Sequence, residues 1–232
     1  MNLKLVSVIM SVHNDEKTVE KSIESIVKQD YKNLELLLID DGSSDKTYEI
    51  CKKYSNSFEN IRLYQNDHNI GLTKSLNILL KKAEGYFIAR QDADDISASS
   101  RLEKQLRFME KYNLDACTTR AFVMNSNKIT PSKSYYLPKE FVMRIKNPFI
   151  HGTLVAKKEV FYNVGLYNEK FYYSQDYKLM RDFLDNGYKL KILKEPLYFL
   201  NMKGNISVTH KEKQQYFAEC VKKRVIPGDK SW

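Results

Sequence analysis

Three carboxylates fall within four positions at Asp92-Ala93-Asp94-Asp95, directly after the strand-like run Tyr86-Phe87-Ile88-Ala89. Carboxylates this close repel one another, and each is costly to desolvate unless something cationic compensates it. A hard divalent ion is the natural compensator, because Asp-x-Asp at a strand end can present two carboxylates to one ion. Over these four residues alone, a solvated acidic turn with Asp95 or a nearby serine capping a helix would look the same, so the neighbouring elements must decide.

Leu5 to Val12 is nearly continuous in β-formers, as a strand buried on both faces should be. Asn14 or Asp15 can then cap a helix with Val19, Ile23, Ile26 and Val27 on one face. Leu34 to Ile39 reads as a second buried strand running into Asp40-Asp41-Gly42-Ser43-Ser44, whose serines can cap a helix with Tyr48, Cys51 and Tyr54 inward. Ile61 to Tyr64 is a short third strand. Gly71 opens a helix aligned on Leu72, Leu76, Leu79, Leu80 and Ala83, and Tyr86 to Ala89 is the fourth strand. Strand and helix alternate at βαβ spacing, which predicts a parallel sheet with helices on both faces. Ligands of such sheets bind beyond the carboxyl ends of the strands. His13 and Asn14 follow the first strand, Asp40 and Asp41 the second, and Asp92 and Asp94 the fourth. Three strand ends therefore deliver polar residues to one edge, which defines a site.

After the capping-box sequence Ser100-Arg101-Leu102-Glu103 and its helix (Leu102, Leu106, Met109, Tyr112 inward) the rhythm changes. Ala116 to Met124 and Ser134 to Leu137 read as strands around a polar turn. Pro138 to Lys146 reads as a short helix, Ile150 to Ala156 as a strand, and Lys158 to Val164 as a helix ended by Gly165. Gln175 to Leu184 is a helix that stops at Asn186-Gly187, and Tyr188 to Leu193 and Leu197 to Leu200 are strands. Lys211 to Arg224 is an amphipathic helix carrying Tyr216, Phe217, Cys220 and Val221 on its apolar side, with a loose tail beyond.

The chain has 232 residues, 42% of them hydrophobic and 29% charged, the composition of a globular protein. Its longest apolar runs are strand-length, and the N-terminus enters a strand without a signal-peptide core, so a cytoplasmic location is expected. Cys51, Cys117 and Cys220 are odd in number and widely spaced, consistent with reduced, buried thiols. The net charge of +9 is compatible with nucleic acid, an anionic lipid surface or a phosphorylated substrate, and does not choose among them.

The ordered series of motifs resembles glycosyltransferase family 2, inverting enzymes with the GT-A nucleotide-sugar-binding fold. Val6 to Asn14 resembles the opening strand and Asn turn of that family. Ile39-Asp40-Asp41-Gly42-Ser43-Ser44-Asp45-Lys46-Thr47 resembles its Asp-Asp-Gly-Ser-x-Asp-x-Thr signature. Asn69 to Asn77, Gln91 to Asp95, His151-Gly152-Thr153, Gly165 to Glu169 and Ser174 to Tyr177 follow at familiar spacing. The resemblance covers roughly residues 4 to 200. It implies an α/β fold of GT-A (Rossmann-like) type, with a mainly parallel sheet flanked by helices and a smaller acceptor-side α+β part. Residues 1–120 would form the nucleotide-sugar half, 121–210 the acceptor half with the catalytic base, and 211–232 a C-terminal helix and tail.

The same resemblance implies the roles. Asp94 would hold Mn²⁺ or Mg²⁺ at the donor diphosphate, with Asp92 sharing the ion or lying nearer the ribose. His151 would be a further ligand or an acceptor-site residue. Asp41 would accept a hydrogen bond from uracil, His13 would stack on the base, and Ser11, Asn14, Lys74, Arg90, Asp92 and Ala93 would line the nucleotide site. Asp176 would be the general base; its place at a helix start also lets the macrodipole favour its ionised form. After Asp176 the family often shows Asp and then Trp where Lys178 and Met180 stand here, so the acceptor-side wall departs from the pattern. The Gln-x-x-Arg-Trp motif of processive synthases is absent.

The resulting expectation is a metal-dependent, non-processive inverting glycosyltransferase. It would use a nucleotide sugar, UDP-linked by the family pattern, and a glycan or lipid-linked glycan acceptor in surface polysaccharide synthesis. A sugar-1-phosphate nucleotidylyltransferase would want a Gly-rich, basic phosphate loop after the first strand, which Ser11-Val12-His13-Asn14-Asp15 does not supply. A non-catalytic basic module for nucleic acid or membrane would leave the aspartate motifs without purpose, and no nucleic-acid motif is visible. Lys211, Lys213, Lys222, Lys223 and Arg224 flank the last helix. They admit either loose docking on an anionic membrane, with Trp232 at the interface, or simple packing on the main domain.

Overall fold

The computed structural model describes residues 3–202 and 211–228. In its nine-stranded sheet, β3 (Ile61–Gln65), β2 (Leu34–Asp40), β1 (Val6–Val12) and β4 (Phe87–Arg90) lie side by side and parallel. β2 is buried at every position and β1 at all but Ser11, which is why neither shows polar alternation. The pleat divides their side chains between two cores. Val8, Met10 and Leu36 face α1 (Val19–Val27), α2 (Thr47–Ser57) and α4 (Arg101–Lys111). Ile9, Leu37 and Ile39 face α3 (Leu72–Lys82), α6 (Lys158–Asn163) and α7 (Gln175–Asp185).

Beyond β4 the sheet is mixed. β8 (Val155–Lys157) runs antiparallel to β4 and to β6 (Ala116–Val123). β9 (Leu190–Leu200) pairs parallel to β6 and antiparallel to the two-residue β5 (Ile96–Ser97), and β7 (Ile129–Thr130) adds to β6. The parallel half and the smaller α+β part thus share one continuous sheet.

Several local expectations are corrected. Ser134 to Leu137 is not a strand: Lys133–Tyr136 forms a 3-10 turn, flanked by Pro131 and Pro138, which have no N–H to give a ladder. Of Ile150 to Ala156 only the end is strand, because His151–Thr153 makes another 3-10 turn. The two expected final strands are one, irregular in register on either side of Arg120 of β6. The short helix of 138–146 is α5 (Lys139–Val142). No side chain caps α1, α2 or α4; Asn14, Asp15, Ser43 and Ser44 are instead used between the loops of the site.

The C-terminal helix (Lys211–Lys223) packs on the domain. Phe217, Cys220 and Val221 are buried in the α3–α7 core, and the Ser174 hydroxyl lies 2.9 Å from Gln214 Oε1 and 3.2 Å from its carbonyl oxygen. Arg224 pairs with Asp185 at 2.9 Å. The apolar side of this helix is therefore not free for a membrane, which corrects that alternative; Trp232 lies outside the described residues. Among the described residues no helix is long and apolar enough to cross a membrane.

Candidate active site

The β1–β2 register sets Val12 beside Asp40, so the turns that follow adjoin. They are stitched together by short polar side chains. Asn14, at φ 56°, donates its backbone N–H to Ser43 Oγ (3.0 Å) and accepts the Ser44 N–H at Oδ1 (2.9 Å). The Asp15 N–H donates to Thr47 Oγ1 at 2.7 Å. His13 Nδ1 faces the Asp41 carbonyl oxygen at 3.0 Å and its Nε2 faces the Asn14 amide at 3.1 Å, which places the ring proton on Nδ1. The exposed imidazole is thereby held at the mouth of the edge.

Asp41 is buried and already engaged. Its Oδ1 accepts from Asn66 Nδ2 (2.8 Å) and the Ile70 N–H (2.9 Å), and its Oδ2 accepts the Gly71 N–H at 2.9 Å. A carboxylate offers about four lone-pair positions, so about one remains on Oδ2. The loop 66–71 that these bonds hold also packs onto Gly42. A Cβ there would come within 2.6 Å of the His68 carbonyl carbon, and φ is 71°, so glycine is required.

At the end of β4 the fully buried Arg90 donates to the carbonyl oxygens of Ile9 (3.1 Å) and Gln91 (2.8 Å) and pairs with Asp92 Oδ1. The Asp92 carbonyl oxygen accepts from Ser22 Oγ (2.8 Å), and its N–H donates to the Tyr198 hydroxyl (3.1 Å). Its Oδ2 lies over Gly152, where an added Cβ would sit 2.4 Å from that oxygen and 2.3 Å from the Tyr198 hydroxyl. Burial, with repulsion from Asp92 and Asp15, pushes the Asp94 carboxyl up to about 6. Asp95, deeper still, is pushed up to about 9 by burial and then by Asp92 and Asp94, and its Oδ1 accepts the Asn201 N–H at 2.6 Å. Asp95 is therefore a buried group turned to the Asn201 peptide, leaving Asp92 and Asp94 as the more accessible pair.

The donor set fits a hard divalent ion: it is all carboxylate, and burial, then repulsion from Asp92 and Asp15, raises Asp94. Among the described residues, no group of three or more His, Cys, Asp or Glu could hold an ion alone. Such an ion would take further oxygens from a ligand. His151 is half-buried. Its Nε2 lies 2.7 Å from the Tyr167 hydroxyl, the rings meet edge to face at 5.6 Å, and burial with the Arg90 charge lowers its pKa well below the ordinary range. Its Nε2 is thus taken up by Tyr167.

Asp176, the second residue of α7, lies on the facing side. Its Oδ2 accepts from Asn147 Nδ2 at 2.8 Å. Its pKa is raised, by burial first and also by the charge of Asp92, against the lowering effect of the helix N–H groups and Asn147. Asp92 and Asp176 thus act on one another, and both act on Tyr167.

Other expected contacts fare unequally. Arg90 is sealed in the sheet and serves Asp92, so it is corrected from a direct nucleotide contact. The Ala93 side chain is buried against the α1-side core, which leaves only its peptide group for a ligand. Ser11 is half-buried, and Lys74 is exposed on the first turn of α3. Asn147, Tyr198, Tyr167 and Gly152 received no role from the sequence. Tyr167 and Gly152 sit inside motif stretches that could have flagged them, whereas Asn147 and Tyr198 carry no local signal.

A parallel sheet edge with paired aspartates, continued by a mixed second half, is the GT-A architecture of nucleotide-sugar transferases. The family model described as glycosyl transferase family 2 matches residues 7–184. The chain belongs to glycosyltransferase family 2 and is a glycosyltransferase of the hexosyltransferase type. It is similar to the EpsE protein of Bacillus subtilis, 38% identical over 202 residues that cover 83% of this chain and 71% of that protein. It is also similar to WfaP of Escherichia coli, a UDP-Glc:alpha-D-GlcNAc-diphosphoundecaprenol beta-1,3-glucosyltransferase, 29% identical over 82% of this chain and 74% of that one. The fold matches the mannosyltransferase PcManGT of Pyrobaculum calidifontis, solved with GDP-Man and Mn²⁺. There the TM-score is 0.74 at 19% identity, covering 91% of this chain and 61% of that one.

Proposed function

We propose that this glycosyltransferase moves a sugar from a UDP-sugar to a hydroxyl of a glycan or lipid-linked glycan in polysaccharide synthesis, with inversion and with the help of Mn²⁺ or Mg²⁺. One observation carries the reading: the Asp92 charge acts both on its neighbour Asp94 and on Asp176 at the start of α7, so the three carboxylates share one site. Asp176 takes the proton of the acceptor hydroxyl as its oxygen attacks the anomeric carbon. The bond from that carbon to the diphosphate oxygen breaks, its electron pair leaves with the diphosphate, and a single displacement inverts the centre. Asp94 and Asp92 would hold the divalent ion, which would supply Lewis-acid stabilisation of the charge on the leaving diphosphate.

Arg90 aims Asp92, and Asn147 orients Asp176. The free Oδ2 position of Asp41 suits the uracil N–H, His13 the face of the base, and Ser11, Asn14 and the Ala93 peptide the rest of the nucleoside, with Lys74 toward the pyrophosphate. Residues 1–120 serve the donor and 121–210 the acceptor. The lipid-linked acceptor follows the relative WfaP, whose name gives such an acceptor and a UDP donor. A hydrolysis and transfer panel of UDP-, GDP- and dTDP-sugars with Mn²⁺ or Mg²⁺ tests the proposal. UDP-sugars should turn over fastest, and excess EDTA should stop the reaction; undiminished turnover in EDTA would remove the ion from it.

A further inference from the structure

The segment that leads from β7 to Asn147 presents a surface to which the transfer chemistry above assigns no residue but Asn147. Its inner side is firmly built. Val142, Met143 and Phe149 are buried, and the Tyr177 hydroxyl donates to the Met143 carbonyl oxygen. The Lys139 ammonium donates to the carbonyl oxygens of Ser134, Tyr135 and Leu137. The Tyr135 ring lies 5.3 Å from the Arg120 guanidinium and 5.2 Å from the Lys139 ammonium.

The outer side is different. Tyr136, Leu137, Phe141 and Ile145 are 72, 47, 54 and 57% exposed. Phe141 and Ile145, four residues apart on α5 and the turn that follows it, share one face, and Leu137 precedes them in the extended stretch that leads into α5. Lys133, Arg144 and Lys146 are exposed around this stripe and have no ion-pair partner among the described residues. Glu140 is the sole acid between residues 131 and 149.

We propose that this face docks the protein on an anionic phospholipid bilayer. The four apolar side chains would enter the headgroup boundary, and Lys133, Arg144 and Lys146 would meet phosphate groups. An apolar stripe rimmed by unpaired cations is what binding in the plane of such a surface needs. A second copy fits less well, because a two-fold contact would set the same cations against one another. The next residue, Asn147, holds Asp176, so docking brings the acceptor side of the site to the lipid surface. This last step rests on the proposed lipid-linked acceptor.

Flotation of the full chain with phosphatidylglycerol/phosphatidylcholine vesicles, against phosphatidylcholine alone, tests the surface. Binding should need the anionic lipid and weaken with salt. It should fall roughly fivefold for each positive charge removed in Arg144→Gln/Lys146→Gln, and be lost in Phe141→Glu/Ile145→Glu. Lys211→Gln/Lys223→Gln on the C-terminal helix should bind like wild type. Thermal melts of each variant confirm that these exposed changes leave the fold intact. No flotation at low salt, flotation unchanged in both patch variants, or a dimer in light scattering that Phe141→Glu dissociates would overturn the proposal. Calorimetry with UDP runs in parallel: UDP binding without flotation removes the membrane surface and leaves the transfer reading, and flotation without UDP binding does the reverse.

Discussion

Asp176→Asn separates a catalytic base from a structural carboxylate. The side chain is half-buried at the start of α7 and accepts one hydrogen bond from Asn147 at 2.8 Å, which an asparagine oxygen can also accept. Nearly the same volume is kept, and asparagine is tolerated at helix starts, so the fold should persist. Proton abstraction is lost. A positioned base contributes roughly 10²–10⁴-fold, or about 2.7–5.5 kcal/mol at about 1.36 kcal/mol per decade.

The burial that raises the Asp176 pKa above 3.8 gives a second, oppositely signed readout. Because the folded state binds this proton more tightly than the unfolded state, the group's contribution to stability falls as pH rises from 3.8 to the raised value. Above that window the ionised carboxylate is a net burden, and the amide carries no such burden. Wild-type turnover should also decline, on acidification, at a higher pH than an ordinary carboxylate would give. The assays are steady-state transfer across pH, UDP calorimetry and thermal melts of both proteins. The reasoning predicts turnover down by the stated factor, UDP affinity within a few-fold, and a melting temperature at neutral pH equal to or above wild type. Turnover within tenfold of wild type would refute the base assignment, and a lower melting temperature would make Asp176 structural.

The donor edge gives three further tests. Asp94→Ala should nearly abolish transfer and remove the metal dependence of UDP binding in calorimetry, since the diphosphate loses its counter-ion; full activity would contradict the ion-binding role. Gly152→Ala places a methyl 2.4 Å from Asp92 Oδ2 and against Tyr198, which is fully buried and cannot move aside. Displacement of Asp92 should lower kcat/KM by roughly 10²-fold, and wild-type kinetics would show that the position of Asp92 is unimportant. Asp41→Ala should weaken UDP binding and also loosen loop 66–71, because two backbone N–H groups and the Asn66 amide lose a charged acceptor worth about 1.5–3 kcal/mol each. Hydrogen exchange at Ile70 and Gly71 should rise, and unchanged protection there would show the carboxylate is not what holds the loop.

Much of the donor half was legible in the chain itself. Leu5 to Val12 and Leu34 to Ile39 are apolar without alternation because both faces of a central parallel strand are covered, and βαβ spacing then fixes which strand ends share an edge. The aspartates after those strands were readable as a site because nothing in local folding wants them together. The acceptor half was less readable. Ser134 to Leu137 has strand-like residues, but prolines on either side remove ladder donors, and only packing shows that a turn results. Three-dimensional contact alone decided the rest. Asn147 reaches Asp176 across 29 residues and Tyr198 reaches Asp92 across 106, distances over which no sequence period carries information. It also decided which charges are available. Arg90 looks like a ligand group in sequence, yet burial commits it to Asp92, and the fold turns His151 Nε2 to Tyr167. Residue type and spacing determined what chemistry the chain can hold, and desolvation in the folded state determined which of those groups remain free to perform it.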